Sequence, residues 1–218
     1  MTFPFAAVLF DLDGTLVDSL GDLADAMNFA LAEQGLPPHA EDKYRYFVGE
    51  GVENLARRAL PEGQEERLPR LLADFRARYA AHFADRSRAY PGVGELLARL
   101  SAERRPMAVL SNKREDFTQS VVERLLPAQL FRVVRGERPG VPKKPDPAAA
   151  LEVAALLGAR PDACAFVGDT SIDMACAVRA GMVPIGALWG FRTRAELLDA
   201  GARALIAHPL ALLDIALP

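Results

Sequence analysis

The sequence predicts an α/β protein, with a doubly wound parallel sheet of the Rossmann-like kind as its core and a small all-helical domain inserted into it. Short apolar segments alternate with helical patterns over most of the chain, and one long stretch near the N-terminus carries helical patterns alone. The chain has 218 residues, 50% of them hydrophobic, which is enough for a core domain and a small companion.

Five short apolar segments are predicted to be strands. Each is apolar without alternation and ends in polar residues or glycine, which is typical of strands buried on both faces of a parallel sheet. They are FAAVLF (5–10), MAVL (107–110), FRVV (131–134), CAFV (164–167) and VPIGAL (183–188). Because helical patterns separate most of them, we expect right-handed βαβ units.

The helical patterns between these strands each show an apolar face or a clear stop. One of them places apolar residues at i, i+3, i+4 and i+7 from Val93. The segment 147–157 is rich in alanine and leucine and ends at Gly158, a residue type that commonly ends helices. A further helix is predicted over 171–181, where a second glycine ends it.

The stretch from about 17 to 84 breaks this alternation. Apolar stripes with helical spacing start at Leu20 and at Val52, and a highly charged, helix-favouring segment follows them. The stretch is too long for a crossover connection between neighbouring strands. We therefore predict a helical cap domain at 17–84, joined by flexible linkers to an α/β catalytic core formed by 1–16 and 85–218.

Composition narrows the class of protein. A net charge of −3 gives no indication of binding to nucleic acid or to an anionic membrane. The two cysteines, Cys164 and Cys176, cannot form a disulfide framework and are predicted to be small buried residues in a reducing compartment. The apolar N-terminus lacks a basic leader, and no segment has the roughly 20 apolar residues of a membrane span. We expect a cytoplasmic monomer or homodimer whose partner is a small molecule.

Polar residues gather where the predicted strands end. Asp11 and Asp13 follow the first strand, Ser111 follows the second, and Asp169 and Asp173 follow the fourth. Ligands of an open parallel sheet bind beyond the carboxyl ends of its strands, so these residues are expected at one rim. Four acids there would repel one another unless a cation shared the site, and hard oxygen ligands suit Mg²⁺.

The segment KKPDP after the third strand adds Lys143 and Lys144 to this rim. A lysine, a hydroxyl and the main-chain N–H groups of a glycine turn together form a receptacle for a phosphate dianion. An aspartate held between Mg²⁺ and a phosphoryl group can act as a covalent nucleophile and form an aspartyl phosphate. We therefore assign the attack to Asp11 and the proton transfers to Asp13.

The segments DLDGTLVDS, SNK, KP and GDTSID, in this order and at these separations, resemble the signature of the haloacid dehalogenase superfamily of phosphatases. The resemblance covers the whole chain. It implies that Asp11 is the nucleophile and that Asp13 is the general acid and base. It also implies the groups that hold Mg²⁺, which are the Asp11 carboxylate, the Asp13 main-chain carbonyl and Asp169, with Asp173 supporting through bound water.

The same resemblance implies the residues that meet the phosphoryl group. Ser111 and Asn112 would bind it, and a lysine would steady both it and Asp11. Lys144 directly precedes a proline, as the family's lysine does, and is preferred over Lys143. The remaining residues assigned to substrate binding are Thr15, Gly49 and Gly51.

The resemblance extends to the kind of reaction. Dehalogenases of the superfamily lack the second aspartate, because a halide leaving group needs no proton, whereas Asp13 is present here. The helical insertion resembles the cap of one subgroup, and the segments 48–60 and 188–213 resemble those of phosphoglycolate phosphatases. We expect a Mg²⁺-dependent phosphomonoesterase with 2-phosphoglycolate as its substrate. The alternatives are another small phosphoester or pyrophosphate hydrolase, a sugar-phosphate mutase, and a regulatory module without catalysis.

Overall fold

The computed structural model describes residues 3–215. Its strands are β1 (Ala7–Phe10), β2 (Val17–Asp18), β3 (Arg88–Ala89), β4 (Met107–Arg114), β5 (Val133–Glu137), β6 (Cys164–Gly168), β7 (Val183–Ala187) and β8 (Ala204–Ile206). Its helices are α1 (Leu20–Ala32), α2 (Glu41–Phe47), α3 (Val52–Ala59), α4 (Leu68–His82), α5 (Val93–Ala102), α6 (Glu115–Leu125), α7 (Ala148–Leu157), α8 (Ser171–Arg179) and α9 (Arg194–Asp199). Among these described helices, none combines the length and the apolar character that a membrane crossing requires.

Six strands form one parallel sheet in the order β5-β4-β1-β6-β7-β8. The chain order reverses at β1, which lies between β4 and β6, so a crevice opens beyond the carboxyl ends of these three strands. Successive residues of β1 face opposite sides. Val8 and Phe10 pack with α5 in one apolar cluster, and Ala7 and Leu9 pack with α7 and α8 in another. The doubly wound α/β core is therefore confirmed.

The observed strands differ from the predicted segments at several ends, and β1 begins at Ala7 rather than at residue 5. The segment predicted as a strand at 131–134 begins at Val133, because a short helical turn precedes it. The strand predicted to end before SNK continues to Arg114, with an irregular register after Leu110. The strands β2, β3 and β8 were not predicted, because two or three residues are too few for a recognisable apolar pattern.

The segment between β2 and β3 contains four helices, α1 to α4, and we call residues 20–83 the helical insertion. The insertion has an apolar cluster of its own, built from all four helices and including Met27, Tyr44, Leu55 and Phe75. Its helical content agrees with the prediction.

The expectation of helix from residue 17 onward is wrong at the first two positions. Val17 pairs with Ala89 and Asp18 pairs with Arg88. The connection that leads into the insertion and the connection that returns from it therefore form an antiparallel ribbon. The predicted division at 17 and 84 stays a prediction.

A buried carboxylate on α1 holds the connection that returns from the insertion to the core. Asp22, near the start of α1, is 3% exposed. It accepts hydrogen bonds from the main-chain N–H groups of Arg86 (2.9 Å) and Ser87 (2.8 Å) and from the Ser87 hydroxyl (2.6 Å). Because these three donors satisfy the carboxylate, its burial is compensated, and the returning chain is held against α1.

We expect Asp22→Ala to lower the free energy of unfolding by about 2–3 kcal/mol, because it leaves buried main-chain donors of the return connection unpaired. Chemical denaturation measures the change. Asp25→Ala is the matched control, since Asp25 makes only an exposed ion pair with Arg86 and is expected to cost less than about 1 kcal/mol. Equal losses in the two variants would contradict the role given to Asp22.

Candidate active site

The carboxyl edge of the sheet brings the predicted segments together. Asp11 follows β1 directly, and its main-chain N–H donates to the Val167 carbonyl at 2.9 Å. Asp169 follows β6, and Asp173 lies in the first turn of α8. Lys144, on the loop between β5 and α7, completes the group. The parallel order β4-β1-β6 is what makes residues so far apart in the chain neighbours at this edge.

Three buried carboxylates and one ammonium form the centre of the site. Asp11, Asp169 and Asp173 each offer an oxygen atom within 4.8 Å of the others. The Lys144 ammonium donates to Asp11 Oδ1 and to Asp173 Oδ1, each at 2.7 Å, and to the Leu110 carbonyl at 2.9 Å. We call these four side chains the carboxylate cluster.

The carboxylate cluster contains more acidic groups than basic ones, and burial and the neighbouring charges shift their pKa values. Burial, together with the neighbouring Asp173 carboxylate, raises the pKa of Asp11 to about 7. Burial and the two other carboxylates also raise the pKa of Asp169 well above its ordinary value. Burial alone would lower the pKa of Lys144, but the carboxylates of Asp11 and Asp173 outweigh it and raise that pKa. One ammonium does not neutralise three carboxylates, so this donor set fits a hard divalent cation such as Mg²⁺.

Asp169 is fixed from both sides. Its Oδ1 accepts from the Thr15 hydroxyl, and its Oδ2 accepts from the Phe191 main-chain N–H, each at 2.8 Å. Glycines make this packing possible: a Cβ on Gly14 would lie 2.3 Å from Asp169 Oδ2, and one on Gly190 would lie 2.2 Å from its Cβ. The Thr15 hydroxyl is thus directed at a carboxylate, and its contact with substrate stays a prediction.

Asp173 is held by its own helix. Its Oδ2 accepts from the Thr170 main-chain N–H (3.0 Å) and hydroxyl (2.6 Å), while the Thr170 hydroxyl caps the first turn of α8 in return. This reciprocal arrangement is a capping box, which fixes the start of a helix. With Oδ2 used in this way, Oδ1 is directed at Lys144.

Asp13 lies apart from the cluster and faces the cleft. Its two carboxylate oxygens each accept from the Lys113 ammonium at 2.7 Å, and Oδ1 also accepts from the Ser19 hydroxyl at 2.6 Å. The Lys113 ammonium is itself buried and lies 5.0 Å from the centroid of the Tyr79 ring. No role was predicted for Lys113 from the sequence. Its place in SNK, directly after Ser111 and Asn112, is the sequence feature that puts it at the same rim as Asp13.

The structure distinguishes the two adjacent lysines. Lys144 is buried in the carboxylate cluster, whereas the Lys143 ammonium is partly exposed and pairs with Glu137 at 3.2 Å. The Asn112 side chain holds this loop: its Oδ1 accepts from the Lys144 N–H at 2.8 Å, and its Nδ2 donates to the Lys144 carbonyl at 2.9 Å and to the Gly49 carbonyl at 3.0 Å. Binding of a phosphoryl group by Ser111 and Asn112 stays a prediction, although both line the cleft.

A cleft with about 570 Å³ of empty volume lies between the sheet edge and the helical insertion. The core contributes Asp11, Asp13, Ser111, Asn112, Lys113, Arg114 and Phe117. The insertion contributes Leu23, Val48, Gly49, Gly51, Val52, Leu55, Phe75 and Tyr79.

The side chain of Glu50 is directed away from this cleft. It accepts from Asn54 at 3.1 Å and pairs with Arg58. Gly49 and Gly51, on either side of it, have positive φ angles of 122° and 89°. The segment therefore presents main chain and glycine to the cleft, and its negative charge is paired elsewhere.

Known proteins resemble this chain over most of its length. The family model described as haloacid dehalogenase-like hydrolase matches residues 8–187. A phosphoglycolate phosphatase of Pseudomonas putida is 35% identical over 209 residues, which is 93% of this chain and 76% of that protein. A phosphoglycolate phosphatase of Chromobacterium violaceum is 35% identical and covers 88% of each chain.

Solved structures agree with these relatives. The crystal structure of a predicted phosphoglycolate phosphatase from Haemophilus somnus superimposes with a TM-score of 0.89 at 28% identity, covering 97% of both chains. A haloacid dehalogenase-like family hydrolase from Streptococcus pneumoniae gives a TM-score of 0.88 at 25% identity, covering 97% of this chain and 98% of that one. Fold, family model and relatives agree with the resemblance carried by the four segments, and the chain belongs to the haloacid dehalogenase-like hydrolase family.

Proposed function

We propose that the protein is a phosphatase, a Mg²⁺-dependent phosphomonoesterase that acts on a small phosphorylated metabolite through an aspartyl phosphate on Asp11. One observation carries the proposal. Asp11 lies in a cluster of three carboxylates, is held by the Lys144 ammonium at 2.7 Å, and borders a cleft that also contains Asp13. The relatives named phosphoglycolate phosphatase support the same class of reaction.

In the first step, Asp11 attacks the phosphorus atom and the bond to the ester oxygen breaks. Lys144 binds Asp11 Oδ1, so we assign the attack to Oδ2. Asp13 donates a proton to the leaving alkoxide, which is otherwise a poor leaving group. Lys113 and Ser19 hold the Asp13 carboxyl in place at the cleft. The predicted role of Ser111 is to donate to the transferring phosphoryl group.

In the second step, Asp13 takes a proton from a water molecule as that water attacks the aspartyl phosphate. The bond between phosphorus and Asp11 breaks, which releases inorganic phosphate and restores the carboxylate. Asp11, Asp169 and the Asp13 main-chain carbonyl are the groups we assign to hold Mg²⁺, with Asp173 supporting through water. When bound, the ion offsets negative charge on the transferring group.

The cleft supports a small substrate. Among the described residues that line the cleft, those of the insertion are apolar, aromatic or glycine. Their side chains include no carboxylate or amide to orient a sugar, and the Tyr79 hydroxyl is their one polar side-chain group. This disfavours a sugar-phosphate mutase. The start of α3 at Gly51 provides main-chain N–H groups and the positive end of a helix, which suit a small carboxylate. We therefore propose 2-phosphoglycolate as the substrate, in agreement with the names of the relatives.

The central test is hydrolysis of an aryl phosphate with and without Mg²⁺, by the unaltered protein and by Asp11→Asn. We expect turnover only with Mg²⁺, and a loss of at least about 10⁴-fold in Asp11→Asn because the nucleophile is removed. Asp18→Asn, an exposed aspartate on β2, serves as the control and should keep full activity. Activity after complete chelation, or in a folded Asp11→Asn protein, would refute the proposal.

The role of Asp13 predicts a dependence on the leaving group. Asp13→Asn should slow the first step, release of the alcohol in a single turnover, by about 10²- to 10⁴-fold for alkyl phosphates, whose alkoxides need a proton. For nitrophenyl phosphate, whose phenolate leaves unaided, the first step should change much less, although steady-state turnover falls because Asp13 also serves the second step. Rapid-mixing measurements of alcohol release over a series of phosphate esters of graded leaving-group pKa measure the difference. A uniform loss in the first step across the series would argue that Asp13 does not protonate the leaving group.

The two lysines provide a matched pair of variants. Lys144→Ala should abolish turnover and lower the free energy of unfolding by about 3–5 kcal/mol, because it leaves buried carboxylates without their counter-ion. Lys143→Ala removes a partly exposed ion pair and should cost less than about 1 kcal/mol. Denaturation and aryl phosphate turnover are measured for both. Loss of turnover in Lys143→Ala alone would reverse the assignment.

Substrate identity is tested with a panel of phosphorylated metabolites ranked by kcat/KM. We expect 2-phosphoglycolate to exceed hexose phosphates and pyrophosphate. Gly51→Ala should reduce kcat/KM more for phosphoglycolate than for an aryl phosphate, because a Cβ there would lie 3.2 Å from the Asn112 carbonyl oxygen and displace the start of α3.

The control for this variant is Gly35→Ala. Gly35 also has a positive φ, of 67°, and has nothing within 4 Å of its Cβ position, so this variant places an alanine at a positive φ away from the cleft and should leave the ratio of the two kcat/KM values unchanged. A sugar phosphate at the head of the ranking would refute the substrate and leave the phosphatase chemistry standing.

A further inference from the structure

The four residues after β7 and Leu188, Trp189 to Arg192, contact both the core and the helical insertion. The Trp189 indole N–H donates to the Thr15 carbonyl at 3.0 Å, and the Phe191 main-chain N–H donates to Asp169 Oδ2 at 2.8 Å. The Phe191 ring, however, lies in the apolar cluster of the insertion and is 4% exposed. One residue therefore joins a carboxylate of the sheet edge to the interior of the insertion. We call residues 189–192 the connecting segment.

Two arginines, one in the connecting segment and one in the insertion, each donate hydrogen bonds to main-chain carbonyls of the other part. The Arg192 guanidinium donates to the carbonyls of Arg45 and Val48, the latter at 3.1 Å, and lies 5.0 Å from the centroid of the Tyr46 ring. In return, the Arg45 guanidinium donates to the Gly190 carbonyl at 3.1 Å. One of these contacts is made to Val48, which itself lines the cleft.

We infer that Phe191 and Arg192 are positioning residues that couple the docking of the insertion to the orientation of Asp169. The Phe191 N–H reaches Asp169 while its ring is anchored in the insertion, and Gly190 packs directly against the same carboxylate. If the insertion moves away, the anchor and this hydrogen bond are lost together. The inference rests on the proposed role of Asp169 in holding Mg²⁺.

Coupling between two events is reciprocal in free energy. If a docked insertion orients Asp169 for the ion, then the bound ion must favour the docked insertion by the same factor. A residue that serves stability alone would not produce this reciprocity. Two measurements that need no substrate follow from it.

The first measurement is titration calorimetry of Mg²⁺ with the unaltered protein and with Phe191→Ala. We expect the Ala variant to bind Mg²⁺ about tenfold more weakly, as is usual when a group that orients a metal ligand is lost. Phe191→Leu, which keeps an apolar anchor, should recover most of the affinity. Leu71→Ala is the control, because Leu71 lies in the same apolar cluster but on α4, outside the connecting segment.

The second measurement is amide hydrogen exchange over 45–51, with and without Mg²⁺. In the unaltered protein and in Leu71→Ala, we expect Mg²⁺ to slow exchange in this segment. In Phe191→Ala, and in Arg192→Ala if the first variant does not fold, that protection should be largely lost.

The outcomes separate the two proposals. Absence of Mg²⁺ binding to the unaltered protein would overturn both the metal assignment and the coupling. Three outcomes would overturn the coupling alone, provided that the unaltered protein binds Mg²⁺. They are an unchanged Mg²⁺ affinity in Phe191→Ala, a loss of Mg²⁺ affinity in Leu71→Ala equal to that in Phe191→Ala, and hydrogen exchange over 45–51 that does not change when Mg²⁺ is added.

Discussion

The Lys144 ammonium lies between the carboxylates of Asp11 and Asp173, where water cannot compensate any of the three charges. Removing such charges from water costs on the order of several kcal/mol per ion, so the arrangement is stable only where hydrogen bonds complete each group. The fold provides them through the Leu110 carbonyl for Lys144 and the first turn of α8 for Asp173. Because β1, β4, the loop before α7 and α8 must all converge for this, the geometry of the sheet edge depends on one set of buried charges.

The positions of the acids at one sheet edge could be predicted from sequence because strands of a parallel sheet end together. Apolar segments that run into Asp11 and Asp169 therefore imply their proximity, and the structure brings both into one cluster. The choice between Lys143 and Lys144 depended on family resemblance, since both follow the same strand. Their directions are decided by the Asn112 amide, which holds the peptide unit of Lys144 from 32 residues away.

Contacts between distant parts of the chain could not be predicted, because they join residues that no local pattern relates. The pairing of Asp13 with Lys113 spans 100 positions, and no periodicity of either segment indicates it. The ribbon of β2 and β3 has two residues on each side, fewer than an alternating pattern needs. Phe191 follows a core strand, yet its ring is buried in the insertion. The hydrophobic character of a residue predicts that it will be buried, but the cluster in which it is buried depends on the tertiary fold.

Val17 pairs with Ala89, so the chain leaves the core and returns to it at adjacent positions. A segment whose two ends lie side by side places little demand on the domain that carries it, whatever its length or internal packing. The parallel sheet and its buried charges can therefore be inherited unchanged while the inserted helices diverge. The contacts that would have to be kept are few, and they include those of Phe191 and Arg192 and the pairing of Asp22 with the return connection. The inserted segment can therefore be replaced during evolution while the core is kept. Substrate preference can then change without any change in the residues that react.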